Sequence, residues 1–482
     1  MHAGKKMRLS CYLVYSLAGI CFLFLTQGCG LVVRETQKGL IKVADSEIFW
    51  QGRHGKLTEQ EMEWANIAWQ YFINNYNAAT GIVNGSNAFN IASVWNIADT
   101  VAATVAAHRL DLIDNYEFDH HITSLLTFLN SMPLSYGVLP NAFYNTANGK
   151  MTNIAGEEYS VGWSAIDIGR LLIWLNILGD YAPQYIEYID KAILRWNFCK
   201  AINECGELSG INRHSSKNPP LESPKEPIGY YEYALMGYKA WGFSTPAPYR
   251  KKTPFINVYG IQLPTSKEDS RETGISDPLV SLPYLLLGLE FNWDRVDDHL
   301  SSDSYSSNSA LADLAKRIYD VQEKRYQYER IFTARTSYRR SQAPYLVYNS
   351  IFSDGYTWNT LTPEGEQHAD LSLVSNAAAF AMWALWKTSY TDGLMQLLNP
   401  LHDPEKGWFE GRRERDGGYE RTMTCSTNAV ILEVLAYKMY GKLYSNQVSA
   451  KSYADILMEN EFDRPPCSPL DMKECRFKAG QK

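Results

Sequence analysis

The sequence predicts an all-α fold, an (α/α)6 toroid of alternating outer and inner helices, and three observations carry that expectation. Segments with apolar residues spaced by three and four alternate with segments that are apolar almost all round. Short loops marked by a glycine and a following apolar residue join the two kinds. The repeat lengths are irregular, which disfavours a regular solenoid of helix pairs.

The first pair opens at 61–76, where Met62, Ala65, Ala68, Trp69, Phe72 and Ile73 form one helix face before the loop Thr80-Gly81-Ile82-Val83. Residues 94–112 follow, dense in Ala, as suits a buried helix. The second pair sets 117–129 before Tyr136-Gly137-Val138-Leu139 and the apolar stretch 161–178. The third runs from 184–201 through Gly206-Glu207-Leu208-Ser209-Gly210 to 230–241. The fourth sets 309–330 ahead of an irregular aromatic stretch and the helix 373–386. The fifth sets 394–401 before Gly407-Trp408-Phe409-Glu410-Gly411 and 427–440. A sixth pair would join 283–291 to a C-terminal helix at 449–457. Residues 244–277 show little helical period and read as a long insertion over one rim, a kind of loop that is usually functional.

Residues 1–28 read as an export signal. Lys5, Lys6 and Arg8 precede an apolar run from 11 to 25, short of the about 20 residues that a membrane span needs. Leu25-Thr26-Gln27-Gly28-Cys29 has the form of a lipoprotein cleavage site, so a lipid on Cys29 is expected to anchor the mature chain in the membrane. Gly30, not Asp, follows that cysteine, which resembles sorting to the outer membrane, with the protein facing the periplasm. Residues 29–56 then read as a tether, 57–445 as the toroid, and 446–482 as a C-terminal helix and tail. The length also allows two domains in place of one large one, and the oligomeric state is left open.

A net charge of -7 without any basic block argues against a nucleic-acid partner. Aromatic residues make up 13% of the chain, with 32 Tyr and 13 Trp, enough to line a sugar cleft as well as fill a core. Beyond Cys29 stand Cys199, Cys205, Cys425, Cys467 and Cys475. In an oxidising envelope Cys199–Cys205 and Cys467–Cys475 are candidate local disulfides, with Cys425 left over, although spacing alone fixes no connectivity. No cofactor is expected, and no zinc spacing occurs. His120 and His121 are adjacent, so they do not share a helix face and read as solvated.

Three acids fall in or near the first turns of inner helices: Asp99, Asp167 and Glu232. Paired carboxylates are what glycoside hydrolysis requires, one to protonate the leaving oxygen and one to activate water or attack. Glu232, between Tyr231 and Tyr233, is the candidate proton donor, Asp167 the candidate base, and Asp99 a further partner. Acids in a first helical turn also serve simply to stabilise the helix, and that reading stands beside the catalytic one. Trp95, Trp163, Tyr231, Tyr348, Asp354, Trp358, Trp408, Glu410 and Asn428 are candidate sugar-binding groups at the same rim, with turn and cap chemistry as the plainer reading. The chain contains no Gly-x-Ser-x-Gly elbow, His-Glu-x-x-His or phosphate-binding loop.

Several of these segments together resemble the bacterial family known as domain of unknown function 3131, over about 57–444. They are 64–81, Val94-Trp95-Asn96-Ile97-Ala98, the run Ser164-Ala165-Ile166-Asp167-Ile168-Gly169-Arg170-Leu171-Leu172, Thr333-Ala334, Pro344-Tyr345 with Tyr348, and 426–433. The resemblance implies a glucoamylase-like (α/α)6 fold and a carbohydrate-related role. It also implies an Asp where this chain has Asn96, a side chain that does not ionise, with Asp99 one turn along as the group that could compensate. The expected function is that of an envelope lipoprotein acting on a bacterial polysaccharide, as a glycoside hydrolase or lyase, or as a binder that assists export or assembly.

Overall fold

A computed structural model describes residues 52–87, 89–203, 206–211, 227–243, 254–266, 269–273, 277–294, 309–444 and 452–459. The export signal, Cys29, Cys205, Cys467 and Cys475 lie outside them, as does nearly all of the tether. The compact unit runs from His54 to Lys482. Six apolar helices within it bury most of their residues: α2 (Val94–Arg109), α4 (Ala165–Tyr181), α6 (Tyr230–Ala240), α7 (Leu282–Phe291), α9 (Asn376–Leu385) and α11 (Cys425–Tyr440). Between them run amphipathic helices: α1 (Glu59–Asn75), α3 (Asn115–Ser131), α5 (Ile186–Leu194), α8 (Ser309–Glu329) and α10 (Ser389–Leu398). A short α12 (Tyr453–Glu459) follows them.

The apolar helices pack in chain order: α2 on α4, α4 on α6, α6 on α7, α7 on α9, α9 on α11, and α11 back on α2. Each fully buried Leu, Ile or Phe on these faces contributes about 1.5–3 kcal/mol. The α4–α6 crossing needs glycine on both sides. A Cβ on Gly237 would lie 2.0 Å from the Gly169 carbonyl oxygen, and one on Gly169 would lie 2.6 Å from Ala234 Cβ. Ser93, Ser164, Ser375 and Thr424 cap α2, α4, α9 and α11, each accepting from the backbone N–H three residues on. Such a cap is worth about 1 kcal/mol.

The expectation of an all-helical chain needs one correction. The glycine loops fold as β-hairpins, and eight small antiparallel sheets occur among the described residues. Tyr76–Asn77 pairs with Ile82–Val83, Leu134–Ser135 with Leu139–Pro140, and His402–Asp403 with Gly407–Trp408. Three larger sheets crowd the N-terminal ends of the apolar helices. One joins β1 (Ile91–Ser93), β2 (Phe143–Asn145) and β3 (Met151–Thr152), and runs directly into α2. The second joins β4 (Tyr338–Arg339), β5 (Leu346–Asn349) and β6 (Thr360–Leu361). The third joins β7 (Leu373–Ser375), β8 (Gly411–Arg413) and β9 (Tyr419–Glu420), and runs into α9. Loops that must return between helix ends satisfy their backbone groups by pairing, a pattern that helical periodicity does not report.

The sixth pair is also built differently. α8 packs on α7, whereas α12 packs on α5, with Tyr453 N–H donating to the Trp241 carbonyl just past α6. Within the supposed rim insertion, Phe255–Val258 and Ile261–Pro264 form a hairpin against α8. Cys199 is disulfide-bonded, to a cysteine outside the described residues, and Cys425 is a buried free thiol. His121 is not solvated as expected. It packs edge-on against Trp69 and Tyr76, and burial lowers its pKa to about 4.

Candidate functional site

The N-terminal ends of α2, α4, α6, α7, α9 and α11 and strands β4 and β5 border one cleft, with about 840 Å³ of empty space including its open mouth. Trp95, Asp167, Tyr348 and Glu410 line it together, four residues expected at the site from the sequence.

Asp167 is the third residue of α4. Its backbone N–H donates to the capping Ser164 Oγ at 3.1 Å, and the same hydroxyl donates to Asp167 Oδ1 at 2.9 Å. Its Oδ2 accepts from Trp95 N–H on α2 at 3.3 Å, so one carboxylate links two helix starts. The stabilising role of a first-turn acid is therefore present, and the carboxylate also faces the cleft. Burial raises its pKa, opposed by the Ser164 hydroxyl, by the charge of Arg339 and by the Trp95 N–H.

Glu410 follows the Gly407-Trp408 strand and precedes β8. Thr424 and Thr427, in the cap and first turn of α11, both donate to its Oε1, the latter at 2.8 Å. Burial pushes its pKa up to about 7, against these two donors and with the nearby Glu420 charge adding to the rise. A carboxyl half-protonated near neutrality, opening onto a cleft, is a functional candidate on physical grounds.

Trp95 forms part of the floor. Its ring meets Tyr230 edge-on at 5.4 Å and lies 4.8 Å from the Arg170 guanidinium beneath. Arg170 is fully buried and joins five helices. It donates to Asp99 at 2.8 Å, to Glu290 at 2.9 Å, to Glu433 at 2.6 Å and to the Tyr233 hydroxyl at 2.6 Å. Asp99 therefore lies one layer below the cleft. Its Oδ2 accepts from Ser426 Oγ at 2.6 Å, and Ser426 in turn lines the cleft. Asn96 completes this contact. Its Oδ1 accepts from Ser93 N–H in a capping box, while its Nδ2 donates to Ser426 at 3.1 Å and to Asp99 at 3.4 Å. An Asp at this position would set a second carboxylate against Asp99, whereas the amide supplies a donor.

Other expected residues do not line the cleft. Glu232 is two positions beyond the cleft-lining Tyr230, about 200° around the helix, so it leaves by another face. Tyr231 turns its hydroxyl to accept from Leu208 N–H. Trp163 is buried and donates to the Ser209 carbonyl at 3.2 Å. Trp408 is buried against α1, donating to the Trp64 carbonyl, and Asn428 clamps the Trp408 backbone through both amide atoms. Asp354 holds the turn at Ser270, accepting from its N–H and its hydroxyl. Trp358 carries Arg325 on its ring at 4.4 Å. These are the turn, cap and packing roles that compete with sugar binding for such residues. Tyr230, Tyr338, Arg339 and Ser426 line the cleft without having been expected there. Two of them, Tyr338 and Arg339, lie on a strand whose period was hidden by its brevity.

The chain shares its fold with solved glycan-degrading enzymes. An endo-β-1,2-glucanase from Chitinophaga pinensis in complex with sophorotriose and glucose matches at TM-score 0.57 with 11% identity, over 84% of this chain and 98% of that one. A β-1,2-glucanase from Parabacteroides distasonis matches at 0.56 with 12% identity, over 83% of this chain and 60% of that one. The endo-β-1,2-glucanase from Talaromyces funiculosus in complex with sophorose matches at 0.52 with 12% identity, over 80% and 84%. Identities this low establish the fold and no activity. No curated protein matches the sequence. Residues 63–441 match the family model described as protein of unknown function DUF3131, and the chain belongs to that family.

Proposed function

We propose that this chain is a glycoside hydrolase built as an (α/α)6 toroid and acting on a polysaccharide of the bacterial envelope. The observation that carries the reading is that two carboxyls on different elements, the partly buried Asp167 and the buried Glu410, line one cleft. The cyclic order of apolar-helix contacts supports the toroid. The shared fold with β-1,2-glucanases supports the substrate class.

Glu410 is the general acid. Both threonine hydroxyls converge on Oε1, which leaves Oε2 to hold the proton that passes to the glycosidic oxygen. Asp167 is the base, acting on water. Burial raises its pKa, and Ser164, the Arg339 charge and the Trp95 N–H work against that rise in favour of the ionised form. Asp99 acts as a positioning residue through Ser426. Trp95 and Tyr348 offer ring faces to the sugar, and Cys29 carries the lipid that holds the protein to the outer membrane on its periplasmic side.

Reducing ends released from β-1,2-glucan and a panel of bacterial polysaccharides measure the activity. Glu410→Gln and Asp167→Asn should each cost about 10²–10⁴-fold in turnover at unchanged melting temperature. Full activity in both variants removes the pair from the chemistry. Unsaturated, ultraviolet-absorbing ends would make the protein a lyase, and glycan binding without turnover would make it a binding protein. Separately, Cys29→Ala should abolish labelling by a fatty-acid probe and release the protein from membranes; unchanged labelling rules out the anchor.

A further inference from the structure

Beside the cleft lies a second groove, with about 710 Å³ of empty space, lined in part by Phe89, Phe143, Ile154, Arg340 and Tyr345. It shares Ser93, Asn96 and Arg339 with the cleft, so the two adjoin. Three of its apolar side chains stand open to solvent. Phe89 is 36% exposed, Tyr345 49% and Ile154 46%. The Phe89 and Tyr345 rings meet edge-on, with centroids 6.1 Å apart and planes at 89°, so the pair presents an angled apolar wall. Such surfaces are left open where something covers them in use.

The polar side of the groove is equally distinctive. Arg340 is committed to Glu420 at 3.1 Å. Arg339, the next residue, has no carboxylate within ion-pair distance among the described residues and lies 5.9 Å from the Phe143 ring. It stands at the junction of the two cavities with donors to spare.

We propose that this groove is a saccharide subsite. It holds the sugar residues that continue from the chain lying in the cleft, with Phe89 and Tyr345 against their apolar faces and Arg339 donating to their hydroxyls at the junction. Apolar rings against C–H faces and a fixed fork of donors for hydroxyls are the complementary surfaces for a pyranose. The lining shared with the cleft at Ser93, Asn96 and Arg339 identifies the occupant as the same glycan. This inference rests on the glycan reading of the cleft. It adds that recognition extends past the cleaved bond, so long chains are preferred over disaccharides.

The test compares the full-length chain with a Phe89→Ala/Tyr345→Ala variant. Both are measured for binding to an immobilised panel of bacterial polysaccharides that includes β-1,2-glucan, each beside its own disaccharide. The ratio of long-chain to disaccharide affinity should fall about tenfold or more in the variant, with disaccharide binding and melting temperature retained. An unchanged ratio, or equal loss for both lengths, overturns the subsite while leaving the cleft reading intact. Failure of the parent to bind any glycan overturns the cleft reading and the subsite together. Arg339→Gln, which keeps shape and some donors, should lower the same ratio less than the double variant; a larger effect on the disaccharide would assign Arg339 to the cleft alone.

Discussion

Two groups of carboxyls lie one helical turn apart in this protein and behave in opposite ways. In α4, Asp167 faces the cleft and Arg170 lies three residues further along, beneath it. Asp167 and Glu410 are held by hydroxyls and a backbone N–H, with a guanidinium only at a distance. Asp99, Glu290 and Glu433 all close on one guanidinium in a space sealed from water. The first arrangement leaves carboxyl oxygens free to exchange protons with a ligand. The second commits them to a structural joint. Residue type is the same in both, so the partner and the adjoining space separate chemistry from architecture.

Removing the joint should have the largest effect. Arg170→Leu leaves three buried acids without their cation, and should cost about 3–5 kcal/mol or more in denaturant unfolding. A loss below about 1 kcal/mol would mean that the acids are neutral and the joint is not electrostatic. The cleft pair should instead respond to pH. Since Glu410 is the acid, activity should fall as pH rises through about 7. Thr427→Val removes a donor that favours the ionised carboxylate, so the alkaline limb of the kcat/KM profile should move up by about one pH unit. An unmoved limb assigns it to another group. The same shift has a stability sign. The folded-state pKa of Glu410 lies above its ordinary 4.5, so its contribution to stability is full below 4.5 and lost as pH rises to about 7. The smallest effect is expected at Glu433. Burial, with Glu290 and Asp99 adding to it against Arg170, holds its pKa well above the ordinary carboxylate range, and its Oε2 has no hydrogen-bond partner among the described residues. Glu433→Gln resembles the protonated form and should change stability by less than about 1.5 kcal/mol. A larger loss would show that Glu433 is ionised in the joint.

Much of this was legible in the residues, and more than was drawn from them. Arg170 is the one basic residue in the apolar run of α4, as Glu290 is the one acid in α7 and Glu433 the one acid in α11. A charge within a helix that is buried all round must find a partner, so the joint could have been read from these helices taken together. Glu410 was recognisable as polar and next to a glycine loop, but its elevated pKa was not. That comes from burial, opposed by Thr424 and Thr427 and reinforced by Glu420, and all of these reach it only through the folding of β8, β9 and α11.

By itself the sequence determined which stretches are helices and which are apolar on every side, because periodicity is a local property. Only the tertiary structure decided which acids meet open space. Glu232 and Asp167 occupy equivalent first-turn positions, yet the contact that forces Gly169 against Gly237 fixes how α4 and α6 are rotated about their axes. A rotation of that kind turns one acid into the cleft and the other away from it. Nothing within either helix specifies it, because it is set by how closely the neighbouring helix can approach.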